Sequence, residues 1–201
     1  MSVRHALCSR KGIFFVVCLV LLGFIGCISI PLGDPEKSKV DDKLLGAWLT
    51  KPEDGKQTMF TVVQYDARTC LVSEFEFKKD GDKIEPSGRF DWKMWLVDVK
   101  GTTFASMEMK NPQLALEPTG DVYASAKIKR DGDSLTIQTV KDDVVKNANI
   151  STSQQLEDFL AANLNNGDVF GDALTLTKAK EDQKEEIGKV IDAFSSGVKI
   201  K

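Results

Sequence analysis

Histidine is nearly missing from this sequence: of 201 residues only His5 is one. Everything beyond it lacks the side chain that most often activates Ser and Cys nucleophiles at neutral pH and most often ligates transition metals. Cysteine is almost as scarce, with Cys8, Cys18, Cys27 and Cys70 its four occurrences. The chain has no metal-type Cys or His spacing, no glycine-rich phosphate loop and no Gly-x-Ser-x-Gly elbow. Asp80-Gly81-Asp82, Asp131-Gly132-Asp133 and Asp142-Asp143 lack the carboxylate spacing of an EF-hand, and the first two read as hairpin turns. No spacing supports a Ser/Lys pair either. These absences argue against an enzyme, and no catalytic residue, metal ligand or cofactor is nominated.

Acidic residues are also missing from the first thirty-three positions, the first being Asp34. In their place stand Arg4, His5, Arg10 and Lys11, followed by an apolar run from Gly12 to Gly26. A cationic start and an h-region of this length predict a secretory signal peptide over 1–26. The segment Phe24-Ile25-Gly26-Cys27 resembles the lipobox of bacterial lipoproteins, in which a small residue precedes a cysteine that is acylated before cleavage. The resemblance implies that Cys27 becomes the lipid-bearing first residue of the mature chain and that the chain joins the membrane through this anchor. Two or more acyl chains, at about 0.8 kcal/mol per buried methylene, hold a protein stably on a bilayer. Position 28 is Ile rather than Asp. In a cell with two membranes this implies the periplasmic face of the outer membrane. The uncharged stretch continues to Gly33 and could span a bilayer, so an uncleaved anchor is the alternative.

Cleavage before Cys27 would remove the only histidine together with Cys8 and Cys18. Without Arg4, Arg10 and Lys11, 24 of the 27 basic residues face 30 acidic ones, a formal net charge of −6. An acidic domain is poorly suited to tracking a phosphate backbone, so nucleic acid is not an expected partner. Cys70 would be the sole free thiol, and its apolar run Thr69-Cys70-Leu71-Val72 predicts a buried, inert one. With no internal disulfide, stability must come from an apolar core, which a chain of this length can build as one domain.

Residues 27–42, with Pro31, Gly33 and Pro35 among charges, read as a tether. Short β-like runs follow at 44–50, 58–65, 69–78, 89–99, 102–109, 122–129 and 134–140, with turn signals between them. In the third run Leu71, Ser73, Phe75 and Phe77 alternate with Val72, Glu74 and Glu76, which predicts an apolar inner face and a solvated face carrying the glutamates. In the fourth, Phe90, Trp92, Met94 and Leu96 share a face. Thr152 with Gln155 predicts a helix start, and Leu156, Phe159, Leu160 and Leu164 form its stripe. A last strand at 173–178 and a charged helix at 180–195 close the chain. The stripe of that helix is Ile187, Val190, Ile191 and Phe194, and docking on its own domain is the default expectation. The fold class is therefore mainly β: an antiparallel barrel of about eight strands, with a helix before the last strand and another at the C-terminus.

Leu45-Gly46-Ala47-Trp48 is similar to the Gly-x-Trp signature of the lipocalin-like family, and the order of strands, helix and final strand agrees. The resemblance covers about 43–178, with 179–201 an extra helical segment. It implies that Gly46 and Trp48 close one barrel end, with Lys178 or Lys180 where the family sets an Arg on the Trp. It also implies an interior that is filled or holds one small ligand. Phe75, Phe77, Phe90, Trp92 and Phe104 are the interior, ligand-facing candidates, and their bulk predicts a filled or only shallowly open interior. Two functions follow as expectations: a non-catalytic barrel binding a small apolar molecule or lipid, or a packed barrel serving as an interaction module for a protein partner of unknown identity.

Overall fold

The computed structural model describes residues 29–110 and 122–196. The signal-peptide region, Cys27 and the loop residues Pro112, Pro118 and Gly120 lie outside them. Eight strands follow one another: β1 (Gly46–Thr50), β2 (Lys56–Gln64), β3 (Cys70–Asp80), β4 (Lys83–Val99), β5 (Thr102–Met109), β6 (Tyr123–Asp131), β7 (Ser134–Thr139) and β8 (Leu174–Lys178). Each pairs antiparallel with the next, and β8 pairs with β1, so the sheet closes into a barrel without edges. Three helices accompany it: α1 (Asp142–Asn147), α2 (Ser153–Ala162) and α3 (Lys184–Ser196).

Local chemistry accounts for most boundaries. Thr152 caps α2 by accepting the Gln155 N–H through its hydroxyl, while the Gln155 side chain accepts the Ser151 N–H. The expected fourth run was too short, because Pro86 and Gly88 interrupt its alternation. The strand starts at Lys83 and absorbs them in a bulge: Glu76 faces Gly88 and Phe77 faces Pro86, leaving Ser87 over. The Ser87 hydroxyl donates to the Glu76 carbonyl at 2.8 Å and fixes the kink. Helix α1 was not expected. Its six residues are too few to show a stripe, and only Val145 is deeply buried.

The described part of the segment read as a tether is strapped to the barrel. Leu32 is 0 % exposed. Its N–H donates to the Ser106 hydroxyl at 3.1 Å, and its carbonyl accepts the Trp95 indole N–H at 2.8 Å. Further on, the Ser38 hydroxyl accepts the Leu96 N–H. Pro31 and the charges suggested a free spacer, but the isolated apolar Leu32 outweighs them once it has a pocket to fill.

Three apolar clusters organise the molecule. The first takes residues from every strand, including Trp48, Val62, Val72, Trp92, Ala105, Ala124, Leu135 and Leu176, and therefore lies inside the barrel. A second sits outside, where Leu32, Val145, Leu156, Leu160 and Phe170 cover Val99 and Phe104. The third is also outside, with Val190 and Phe194 of α3 packed on Met59, Phe75 and Phe77.

Candidate binding site in the barrel lumen

One end of the lumen is closed. Gly46 adopts φ +117°, a backbone region nearly reserved for glycine, and turns the chain from the 3-10 turn Asp42–Leu44 into β1. Trp48 then points inward, fully buried, and its indole N–H donates to the Leu44 carbonyl at 2.8 Å. Leu44 is buried in the same cluster. The Lys178 ammonium stands 5.4 Å from the Trp48 ring centroid and donates to the Lys43 carbonyl. A Lys thus stands as the cation over the Trp48 ring. Cys70 also faces this interior, where burial raises its thiol and nearby Asp66, Asp41 and Asp42 add to the effect.

Toward the other end the inward face changes character. Phe60, Phe90, Met107, Met109, Ile128 and Ile137 pack against the lumen cluster but remain only partly buried. Leu174, which pairs with the inward Ile137, is 41 % exposed. These apolar side chains point into the closed barrel and are incompletely covered. The small residues Ala105, Ala124 and Ala126 on β5 and β6 are buried on this face.

The five aromatic candidates do not stay together. Phe90 and Trp92 line the lumen. Phe75 and Phe77 lie on the outside of β3 beneath α3, where Phe75 meets Phe194 edge-to-face with ring centroids 5.1 Å apart. Phe104 is also outside, under Phe170 at 6.3 Å. The alternation along β3 was correct and its direction was inverted. A strand with one apolar and one charged face normally buries the apolar one inward, but here helices cover the outside of the barrel. The apolar face therefore serves the outer cluster.

The opposite face of β3, read as solvated, lines the lumen instead. Glu74 lies between Phe60 on β2 and Phe90 on β4, and Glu76 between Thr58 and Gly88. Burial pushes the Glu74 carboxyl up to about 7, Glu76 beside it raises it further, and a hydrogen bond from Trp92 partly opposes them. Burial also raises the Glu76 carboxyl. A Cβ at Gly88 would stand 2.9 Å from a Glu76 carboxylate oxygen, so the glutamate lies in space that glycine leaves free. The stripe of α3 was the available signal: a helix at the end of a barrel chain needs an apolar outer strand face to dock on.

Elsewhere, a shallow depression between the β3–β4 hairpin and α3 is lined by charges, among which Lys79 pairs with Glu186. Among the described residues no three His, Cys, Asp or Glu side chains gather to hold a metal. No helix among them is long and apolar enough to cross a membrane. No family model, curated protein or solved structure matches the chain.

Proposed function

We propose that this chain is a non-catalytic, lipid-anchored envelope protein of lipocalin-like type whose barrel holds one small apolar molecule near the membrane. The observation that carries the reading is the polarity of the lumen. Trp48 and Leu44 are buried together next to Gly46, while Phe90, Met109 and Leu174, further along the inward face, are only partly buried. Preformed concave apolar surfaces with a few placed polar groups are the usual form of small-molecule sites. The absence of histidine beyond position 5 favours binding over catalysis.

The anchor follows from the lipobox-like Phe24-Ile25-Gly26-Cys27 and from Ile28 after it. The docking of Leu32 sharpens what such an anchor does. Only four residues separate Cys27 from Leu32, a reach of at most about 18 Å. A barrel so tethered rides against the lipid surface, within reach of molecules leaving the bilayer. In a cell with two membranes the place for it is the periplasmic face of the outer membrane.

Titration of the full chain with the uncharged probe N-phenyl-1-naphthylamine tests the reading. Saturable binding of one probe per chain, with quenching of Trp92 emission that is weakened in Phe90→Ala, is expected. A signal that rises linearly and equally in Phe90→Ala would favour the packed interaction module instead.

A further inference from the structure

Helices cover much of the apolar outside of the barrel: α1 and α2 lie over Val99 and Phe104, and α3 over Phe75 and Phe77. Where β8 is bare, its outward positions are polar, with exposed Thr175 and Thr177 on either side of buried Leu176. The end of β2 departs from this rule. Val63 is 52 % exposed and Tyr65 is 61 % exposed. Val63 has the outward parity of Met59 and stands opposite Leu71 on β3, whose other neighbour is Lys93 on β4. Tyr65 is on the same side, since the Lys93 ammonium lies 5.7 Å from its ring centroid. Among the described residues the other exposed large apolar side chains are Leu174, on the inward face of β8, and Ile191, on α3. Single exposed apolar residues are ordinary on any surface, but an adjoining outward set on an otherwise covered sheet asks for a partner.

The strap reaches this face at two points. Glu36 pairs with Arg68 of the β2–β3 turn. The Leu32 carbonyl holds the indole of Trp95, the next outward residue after Lys93 and about 6.5–7 Å from it along the strand. The described chain begins at residue 29, three positions before Leu32, so what precedes it departs from beside this face. We infer that the outward face formed by Val63, Tyr65 and Leu71 is laid on the bilayer to which the chain is tethered, with the Tyr65 ring at the level of the lipid headgroups. The inference rests on the membrane-tethered reading above and adds which side of the barrel meets the lipid. A ring with a hydroxyl and a Lys with a long stem both suit that level, because their apolar parts enter the boundary while their polar ends stay in water. The charges at the rim balance, with Arg68 paired to Glu36 and Lys93 close to Asp66, so the face suits a zwitterionic lipid surface and needs no anionic one. A short tether raises the effective concentration of the bilayer at the face, and a small apolar contact is then enough to select one orientation.

Short-range quenching of tryptophan by brominated acyl chains tests the face, since Trp48, Trp92 and Trp95 are all buried and give a steady background. The full chain is produced in a bacterial host as the native protein, as Tyr65→Trp and as Thr175→Trp. Each is reconstituted in phosphatidylcholine vesicles with plain or brominated chains, and the vesicles are floated. Both replaced side chains are exposed, so neither change disturbs the core. The emission added by Tyr65→Trp should be lost in the brominated vesicles, and that added by Thr175→Trp should persist. Equal loss from the two variants, or no loss from Tyr65→Trp in chains that float with the vesicles, overturns the face and leaves the tether standing. A protein partner or a second copy then covers Val63 and Tyr65. Chains that do not float overturn the tether, and this inference with it.

Discussion

A carboxyl group set against Trp92 and beside Glu76 in an apolar lumen gives up its proton at about 7, against 4.5 for an ordinary glutamate. The folded chain therefore binds that proton more tightly than the unfolded chain does. Below pH 4.5 both states are protonated and the group is neutral in the balance. Between 4.5 and 7 the unfolded chain ionises first, and stability is lost as pH rises; above 7 the loss is complete. Its size is on the order of 1–3 kcal/mol. Glu74→Gln should flatten this part of the profile, raising the urea midpoint at pH 8 more than at pH 5. Equal slopes in variant and native chain would mean that Glu74 faces water. Trp48 is a residue of the opposite kind, buried completely with its N–H satisfied. Trp48→Ala should cost about 3–5 kcal/mol in denaturant unfolding, the loss typical of a large buried aromatic. It should do so at both pH values.

At the scale of elements, what could be read in advance divides by the kind of signal. Strand existence and order were legible because period-two alternation and Asp-Gly turns are local. So was the start of α2, where Thr152 and Gln155 state the cap. The face of β3 was not, since alternation reports that two faces differ and not which one a helix will cover. That error set Phe75 and Phe77 inside and left Glu74 and Glu76 unrecognised, and Phe104 on β5, under Phe170, was turned inward by the same neglect of outer cover. The strap at Leu32 was missed for a related reason: one apolar residue among prolines and charges has no periodicity to betray its pocket. Helix α3 is thus a wall of the barrel's outer core rather than an appendage. Phe194→Ala, which opens the contact with Phe75, should destabilise the chain by about 3–5 kcal/mol. A change below about 0.5 kcal/mol, the size usual for surface substitutions, would show that α3 does not dock in solution.

The whole molecule is a closed barrel with Trp48 buried near the start of β1 and a strap docked through Leu32. If Cys27 carries the lipid, Cys27→Ser should leave an unacylated protein of precursor mass, and a chain cleaved by other means should remain in the aqueous fraction. A native chain found in the membrane at full, unacylated precursor mass would instead indicate an uncleaved anchor. Where the chain sits and what its lumen holds are separate matters, and the second is the central one. Native mass spectrometry of the protein purified from its own host addresses it directly. The account predicts a co-purifying small apolar molecule at one per chain. An empty barrel, with a melting temperature unchanged across a panel of apolar molecules and lipids, would contradict it.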